Sequence, residues 1–467
     1  VSAVIACPYM AGLPVAVMGL GKSGLPTAQA LLESGAEVWA WDDDATRREE
    51  ARAAGIPIVD LASCDWSQLT TLVLSPGIPH THPRPHPVAA AARAARVEII
   101  GDIELLGRSQ RDAAFVGVTG TNGKSTTTAL IGHVMRQAGR TVEVGGNIGT
   151  PALSLRALGE GAAYVIEMSS YQLELTVSIT FDIAVLLNIT ADHLDRHGGM
   201  DGYVAAKRRI FNRQVRPRTA VVGVDDDHCR AIHADLKRQG DQNVLAISGE
   251  IAVSGGVYAR DGVLIDDIEG AAAPAVDLRE VATLPGRHNW QNAAAAYAAA
   301  RAAGIAPQAI AAGIRTYPGL AHRQELVGTV DGVRFVNDSK ATNADAAAKA
   351  LACYDAIYWI AGGRPKAGPL DALHPYLPRV RRAFLIGEAA PRFARELAGR
   401  VALEACGDLT TATDRAFAAA RADRAPYPVV LLSPACASFD QFSDFEARGE
   451  AFRALVAALA ARQGAAQ

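Results

Sequence analysis

The stretch GVTGTNGKSTTT, residues 117–128, limits what this chain can become more than any other. An apolar run at 113–118 precedes it, and ALIGHVMRQAG, with helical spacing, follows. Strand, tight loop and helix in that order form a unit of a parallel α/β sheet. Gly117, Gly120 and Gly123 let backbone N–H groups close around phosphate oxygens, and the start of the following helix adds positive potential. Lys124 is placed to reach the β- and γ-phosphates of a nucleoside triphosphate, and the Ser125 hydroxyl to take Mg²⁺. The strict motif has glycine at position 118; Val118 stands there, so the loop is a variant.

At 467 residues the chain is too long for one ordinary core. The same alternation recurs along it. LPVAVMGLGKSG reads as a strand into a glycine turn, followed by a helix (25–34), a strand (36–41) and the acidic WDDD; TLVLSPGI ends in a second turn. AIYWIAGG, RAFLIGE and PVVLLSPACAS repeat the pattern beyond Tyr317. We expect α/β architecture in three consecutive domains: a Rossmann-like N-terminal domain (1–107), a central P-loop ATPase domain (108–319) and a Rossmann-like C-terminal domain (320–467).

With 49% hydrophobic and 20% charged residues and a net charge of -3, the chain reads as globular, with no basic field for nucleic acid or an acidic membrane. No apolar run reaches the ~20 residues of a membrane helix. The VIAC box ending at Cys7 lacks the basic and apolar regions of a leader, so a short tail before the first strand is expected. Six scattered cysteines without CxxC predict reduced thiols and a cytoplasmic location. Of 46 Lys and Arg, only Lys22, Lys124, Lys207, Lys237, Lys340, Lys349 and Lys366 are lysine. Arg serves as a plain surface cation but cannot supply a compact or deprotonatable amine. The retained lysines are therefore candidates for chemistry, with Lys237 and Lys349 assigned to solvent-facing helices.

Polar residues collect where buried strands end, which is where open α/β sheets bind ligands. IEMSSYQLE places Glu167 there, as a Mg²⁺ ligand or a helix-start acid. NITADHLDRH offers Asp192 and His193, the latter a metal ligand, a substrate contact or an ordinary loop histidine. Lys207 is a lysine beside two arginines in YVAAKRRIF. Asn289 and Asn292, spaced i, i+3 at the start of a helix, suit either a ligand or capping. GLGKSG (19–24) with Asp42 fits a dinucleotide turn, the weaker of the two phosphate signals. His80, His82 and His86 are irregularly spaced among prolines, a poor metal pattern.

TGTNGKST, EMSSYQLE, DHLDRH, AAKRRIF, LPGRHNWQNAAAA, AHRQE, NDSKATN and LSPACASFDQFSDFEARG together resemble the Mur ligases over nearly the whole chain, and the last stretch resembles the D-glutamate-adding branch. The resemblance implies ATP-driven amide formation between UDP-N-acetylmuramoyl-L-alanine and D-glutamate through an acyl phosphate, with two Mg²⁺ ions. It implies ATP contacts from Gly120, Thr121, Asn122, Gly123, Lys124, Ser125, Thr126, Asn289, Arg323 and Asp338. Ser125, Glu167, His193 and a carbamylated Lys207 would serve the metals, with Lys124, Glu167, His193 and Lys207 catalytic. Ser23, Gly24, Ser75, Pro76 and Gly77 carry over to the uridine diphosphate, Asn147 to the muramoyl group, and Thr342, Lys366, Ser438 and Phe445 to D-glutamate. A monomer is expected.

Two positions depart from the family pattern. Asp44 stands where some relatives carry an Arg near the uracil, and Gly363-Arg364-Pro365 replaces Gly-Gly-Asp before Lys366. An L-glutamate-adding variant stays open on sequence alone. A folylpolyglutamate-synthase-like ligase lacks the first domain, and the diaminopimelate-adding ligase shows an Asp-Asn-Pro-Arg stretch absent here. A nicotinamide oxidoreductase would rest on GLGKSG alone, and a purely structural role would leave Glu167, His193 and Lys207 without purpose.

Overall fold

A computed structural model describes residues 4–365 and 370–464. Lys366 lies outside the described residues. Two compact units emerge: one runs through Glu280 and takes in Asn289–Tyr317; the other comprises Val281–His288 and the chain from Pro318 onward. Three sheets carry them, two in the first unit and one in the second.

The first sheet is parallel, in the order Glu37–Trp41, Pro14–Met18, Thr71–Leu74, Glu98–Ile100. The Thr71–Leu74 strand is buried at every position, as expected for a parallel strand covered on both faces. Helix Gly24–Glu33 starts hard against the first turn, where a Cβ on Gly24 would lie 1.7 Å from the Gly19 carbonyl oxygen. Only glycine permits that approach.

The second sheet has nine strands. Its order is Ala273–Asp277, Val263–Asp266, Gly256–Arg260, Asn243–Ser248, Thr219–Gly223, Ile183–Leu186, Ala114–Thr119, Ala163–Glu167, Val142–Gly146. The strand feeding the phosphate loop thus lies between Ala163–Glu167 and Ile183–Leu186, parallel to both. After Val142–Gly146 and Ala163–Glu167 the chain crosses past it to Ile183–Leu186, opening a crevice at the strand ends. The last two strands, Val263–Asp266 and Ala273–Asp277, form an antiparallel extension that the motifs do not predict.

One apolar cluster joins the first two sheets, running from Val15, Val17 and Leu31 through Ile103 and Leu106 to Phe115, Tyr164 and Phe181. Helix Asp102–Ser109 bridges them. Its Glu104 is fully buried and accepts from the amides of Val177 and Ser178 (both 2.8 Å), the amide of Ile179 (3.2 Å) and Arg108 Nε (2.8 Å). Burial pushes the Glu104 carboxyl up, but the bonds from Ser178, Val177 and Arg108 outweigh it and hold the group below its ordinary value.

The third sheet runs Glu325–Val330, Val333–Asn337, Val429–Leu432, Ile357–Gly362, Val380–Ile386, Leu403–Gly407; it is parallel except for the first hairpin. Alternate residues serve separate cores. Trp359 and Leu385 pack with Phe393 on one face; Tyr358 and Phe384 pack with Phe417 and Phe452 on the other.

Candidate active site

The phosphate loop forms between strand Ala114–Thr119 and helix Lys124–Gln137. Gly123 precedes the helix at φ +84°, and a Cβ there would meet Asn292 Oδ1 at 2.2 Å. Lys124 Nζ folds back to donate to the carbonyls of Gly120 (3.0 Å) and Thr121 (2.8 Å). Lys207 Nζ donates to the same Gly120 carbonyl at 2.8 Å. The Lys124 ammonium and the buried Lys207 amine therefore meet at one backbone oxygen beside a helix N-terminus, and Lys124 with that N-terminus supplies positive potential for an anion. Ser125 is buried in the first turn of that helix, and Thr126 is half-buried beside it.

Lys207 comes from helix Met200–Arg208 and is 1% exposed, while its neighbour Arg208 reaches outward to pair with Asp235. Burial, and then the nearby Lys124 charge, drives the Lys207 amine well below the ordinary lysine value. Its Nζ also lies 4.7 Å from the centre of the Tyr203 ring.

Glu167 ends strand Ala163–Glu167 and is 2% exposed; the N-cap of the next helix is Ser169, so Glu167 is not a helix-start acid. Asn147 Nδ2 donates to Glu167 Oε1 at 2.7 Å, while the buried Oε2 has no hydrogen-bond partner. A buried carboxylate oxygen with an open lone pair at the mouth of a phosphate site fits a hard divalent cation. Among the described residues no three His, Cys, Asp or Glu side chains converge on a ready-made metal cage. His193 stands apart from such a cluster: it is exposed at φ +52°, with Nε2 3.5 Å from Asp192 Oδ2 and its ring 5.2 Å from Tyr171.

Residues not singled out from the sequence brace the loop, two of them inside the quoted stretches. Asn188 accepts from the amides of Thr121 (backbone oxygen, 2.8 Å) and Asn122 (side-chain oxygen, 2.9 Å). Its own amide donates to Gln291 Oε1 at 2.9 Å, and Gln291 Nε2 donates to Asp225 at 2.7 Å. Asn289 and Asn292 lie inside helix Arg287–Ala302, not at its cap. Asn292 accepts from Thr127 Oγ1 at 3.2 Å and donates to Asn289 at 3.0 Å. Cavities of about 500 and 600 Å³ flank Arg301 near the other end of this helix, away from the signature residues.

In the first sheet, Ser23, Gly24, Ser75, Pro76 and Gly77 gather at the strand ends. Ser75 Oγ donates to the Gly19 carbonyl (3.0 Å), and the Leu20 amide donates to buried Asp42 (2.6 Å). Asp44, at the place of the family's arginine, caps helix Ala45–Ala53 by accepting from the Thr46 amide at 2.8 Å. Arg48 stacks over Trp41, 4.5 Å from the ring centre. His80 and His86 pair with Glu174 (3.1 Å) and Asp43 (2.9 Å) rather than with each other.

In the second unit Asp338 follows strand Val333–Asn337, accepting from Ser433 Oγ (2.7 Å) and the Gln324 amide (3.2 Å). Burial lifts its carboxyl to about 7. Arg323 lies next to Gln324 in the chain and lowers that value in part. Ser438 is buried, Thr342 half-buried, and Phe445 opens helix Phe445–Gly464 with Lys340 Nζ 3.6 Å from its ring centre. Arg364 exchanges backbone hydrogen bonds with Ala437 (2.9 and 3.2 Å), which sets the segment before Lys366 beside Ser438. Arg448 is 1% exposed and donates to Ser339 and to the carbonyls of Cys436 and Ala437. It ties both strand-end loops together, a role its place late in SFDQFSDFEARG does not advertise.

The chain matches the Mur ligase middle domain over residues 118–300 and the Mur ligase glutamate ligase domain over 322–436. It is 55% identical to the UDP-N-acetylmuramoylalanine–D-glutamate ligase of Rhodospirillum rubrum, across 98% of this chain and 97% of that one. The enzyme of the same name from Caulobacter vibrioides strain NA1000 is 54% identical, across 96% and 97%. Among solved structures, the UDP-N-acetylmuramate–alanine ligase of Thermotoga maritima aligns with a TM-score of 0.56 at 16% identity, across 96% of this chain and 99% of that one. The MurF ligase of Thermotoga maritima in complex with ADP aligns at 0.55 and 17% identity, across 97% of each. The phosphate loop with its two lysines, the strand-end carboxylate and the glutamate-ligase pattern of the second unit thus meet in one lineage, and the chain belongs to the Mur ligase family.

Proposed function

We propose that this protein joins D-glutamate to UDP-N-acetylmuramoyl-L-alanine at the expense of ATP, as a step in making peptidoglycan precursors. The observation that carries the reading is the shared Gly120 carbonyl, on which a phosphate-loop lysine and a buried, readily deprotonated lysine converge. The alanine carboxylate attacks the γ-phosphorus of ATP, forming an acyl phosphate and releasing ADP. The D-glutamate amine then attacks the acyl carbon, forming the amide and releasing phosphate and a proton.

Lys124 and the helix N-terminus hold the phosphates, where charge moves during transfer. Asn122, held by Asn188, and Asn292, held by Thr127, keep the loop shaped before ATP arrives. Ser125 and the open Oε2 of Glu167 would hold one Mg²⁺. His193 with Lys207, after the neutral amine has taken up CO₂ as a carbamate, would hold a second. These ions would neutralise the transferring phosphoryl group. Asn147 orients Glu167 and contacts the muramoyl group, while Ser23, Gly24, Ser75, Pro76 and Gly77 hold the uridine diphosphate. Asn289, Arg323 and Asp338 complete the ATP contacts, and Thr342, Ser438, Phe445 and Lys366 receive D-glutamate.

Division of labour follows the three segments 1–107, 108–319 and 320–467: nucleotide-sugar, ATP and amino acid. The protein works as a cytoplasmic monomer. No helix among the described residues is long and apolar enough to cross a membrane.

Phosphate release from ATP, measured with each substrate omitted in turn, tests the reading. Release should require both the nucleotide-sugar and glutamate, and a chirally resolved assay should find only the D enantiomer used. Release indifferent to glutamate would reject the proposal.

A further inference from the structure

Segment 76–82 of the first sheet and segment 170–198 of the second are tied at several points that the reaction above does not use. Arg196 Nη1 donates to the Gly77 carbonyl at 2.8 Å, and Nη2 lies 3.5 Å from the Pro76 carbonyl. The guanidinium carbon lies over Tyr171, 4.4 Å from the ring centre. Its Nε is buried and makes no hydrogen bond, so stacking and the carbonyl contacts position this group. A second tie runs alongside. His80 Nε2 meets Glu174 Oε2 at 3.1 Å; Glu174 Oε1 meets His197 Nδ1 at 2.9 Å; His197 Nε2 meets Ser170 Oγ at 2.9 Å. His197 is buried, its ring stacked on Tyr171 at 5.4 Å. Burial alone would raise the Glu174 carboxyl, but the bonds from His197 and His80 win and bring it to about 2. Helix Ser170–Glu174, which carries this chain, begins three residues after Glu167.

We propose that Arg196 is a positioning residue for the nucleotide-linked substrate, setting the Ser75-Pro76-Gly77 turn at a fixed reach from Glu167. This rests on the reading of that turn as the diphosphate site. In a trans peptide the N–H points opposite to the C=O. With the Pro76 carbonyl turned to Arg196, the Gly77 N–H is turned away from Arg196, as a donor for an anionic oxygen. The Gly77 carbonyl is likewise fixed, and the Ile78 amide is spent on the Ser75 carbonyl at 3.0 Å. The planar fork reaches two carbonyls while its carbon sits over the Tyr171 ring; a lysine ammonium is a point charge that cannot span both carbonyls in the same way. The Glu174 chain stops the loop from rotating about the Arg196 contact, so the two ties together define a distance and an angle. The substrate's reactive carboxylate, at the far end of a long nucleotide-sugar, is delivered to the phosphate loop by that geometry.

The test is calorimetric binding and steady-state kinetics on the full chain with Arg196→Ala, Arg196→Lys and Glu174→Ala. Arg196→Ala should weaken UDP-N-acetylmuramoyl-L-alanine binding tenfold or more while Mg·ATP affinity stays within twofold. Arg196→Lys should recover part of the loss. Glu174→Ala should raise the KM for the nucleotide-sugar and leave that for ATP in place. If Arg196→Ala weakens both ligands equally, the residue is merely structural and the proposal fails. If the unaltered protein binds the nucleotide-sugar and Arg196→Ala binds it as tightly, the positioning role alone falls. If the unaltered protein does not bind it, the functional reading falls with it.

Discussion

Two glycine turns follow parallel strands in this protein, and they are wired oppositely. At Gly120 the backbone oxygen is occupied by two lysines. At Gly19 a carboxylate, Asp42, occupies the next residue's amide. At the first, Lys124 and the helix N-terminus concentrate positive charge where a triphosphate would sit. The second places a negative charge, itself 3.5 Å from Arg47, beside the turn, so no comparable excess of positive charge builds up there. Equivalent backbone topology therefore says where a ligand binds, and the side chain closing the turn says how much charge it brings.

The contrast breaks most visibly at the lysines. Lys124→Ala should cut turnover by about 10²–10³-fold or more, the range for losing a transition-state donor; a steady-state assay at saturating ATP reads it. Lys207→Ala should cost a similar factor, and small carboxylates should restore part of the rate by standing in for a carbamate. Lys207→Arg should stay inactive, and full activity in that variant would end the carbamate reading. Gly123→Ala sharpens the comparison by stability. The Cβ would collide with Asn292 at a positive φ, so unfolding free energy should drop by about 1–3 kcal/mol in a denaturant titration. Asp42→Ala removes one charge-assisted bond, so the KM for the nucleotide-sugar should rise about tenfold, roughly 1.4 kcal/mol, with little change for ATP.

Asp338, a third strand-end acid, is read through pH rather than turnover. Burial holds it at about 7 against an ordinary 3.8. The folded state keeps a proton that the unfolded chain releases, so this contribution to stability is complete below about pH 3.8 and lost as pH rises to about 7. Asp338→Asn should flatten the stability profile across that window. Glu174 has the opposite sign, its contribution present above its ordinary 4.5 and lost as pH falls towards about 2.

Local signals were readable in advance and distant ones were not. Gly120–Ser125 is legible because strand, loop and helix are contiguous, and Glu167 because it ends an apolar run. Helix Gly24–Glu33 and strand Ala114–Thr119 fall within a residue of the expected bounds. Asn188 and Asp225, each just past a strand end, and Gln291 in a helix brace the loop from far along the chain, and nothing near them in sequence names their partners. Asn289 and Asn292 read as capping candidates because the alanine run after them looks like the helix proper; the helix begins earlier, at Arg287. The antiparallel strands Val263–Asp266 and Ala273–Asp277 are short and flanked by Asp and Gly, so their pairing outweighs a weak local pattern.

Glu104 has a mechanical consequence. A carboxylate that satisfies three successive amides of one sheet's loop while bonded to its own helix acts as a splint across the joint. With a continuous apolar cluster beneath it, the first two sheets should melt as one calorimetric transition. Glu104→Ala, by orphaning those amides, should let the nucleotide-sugar end loosen first and split that peak in two.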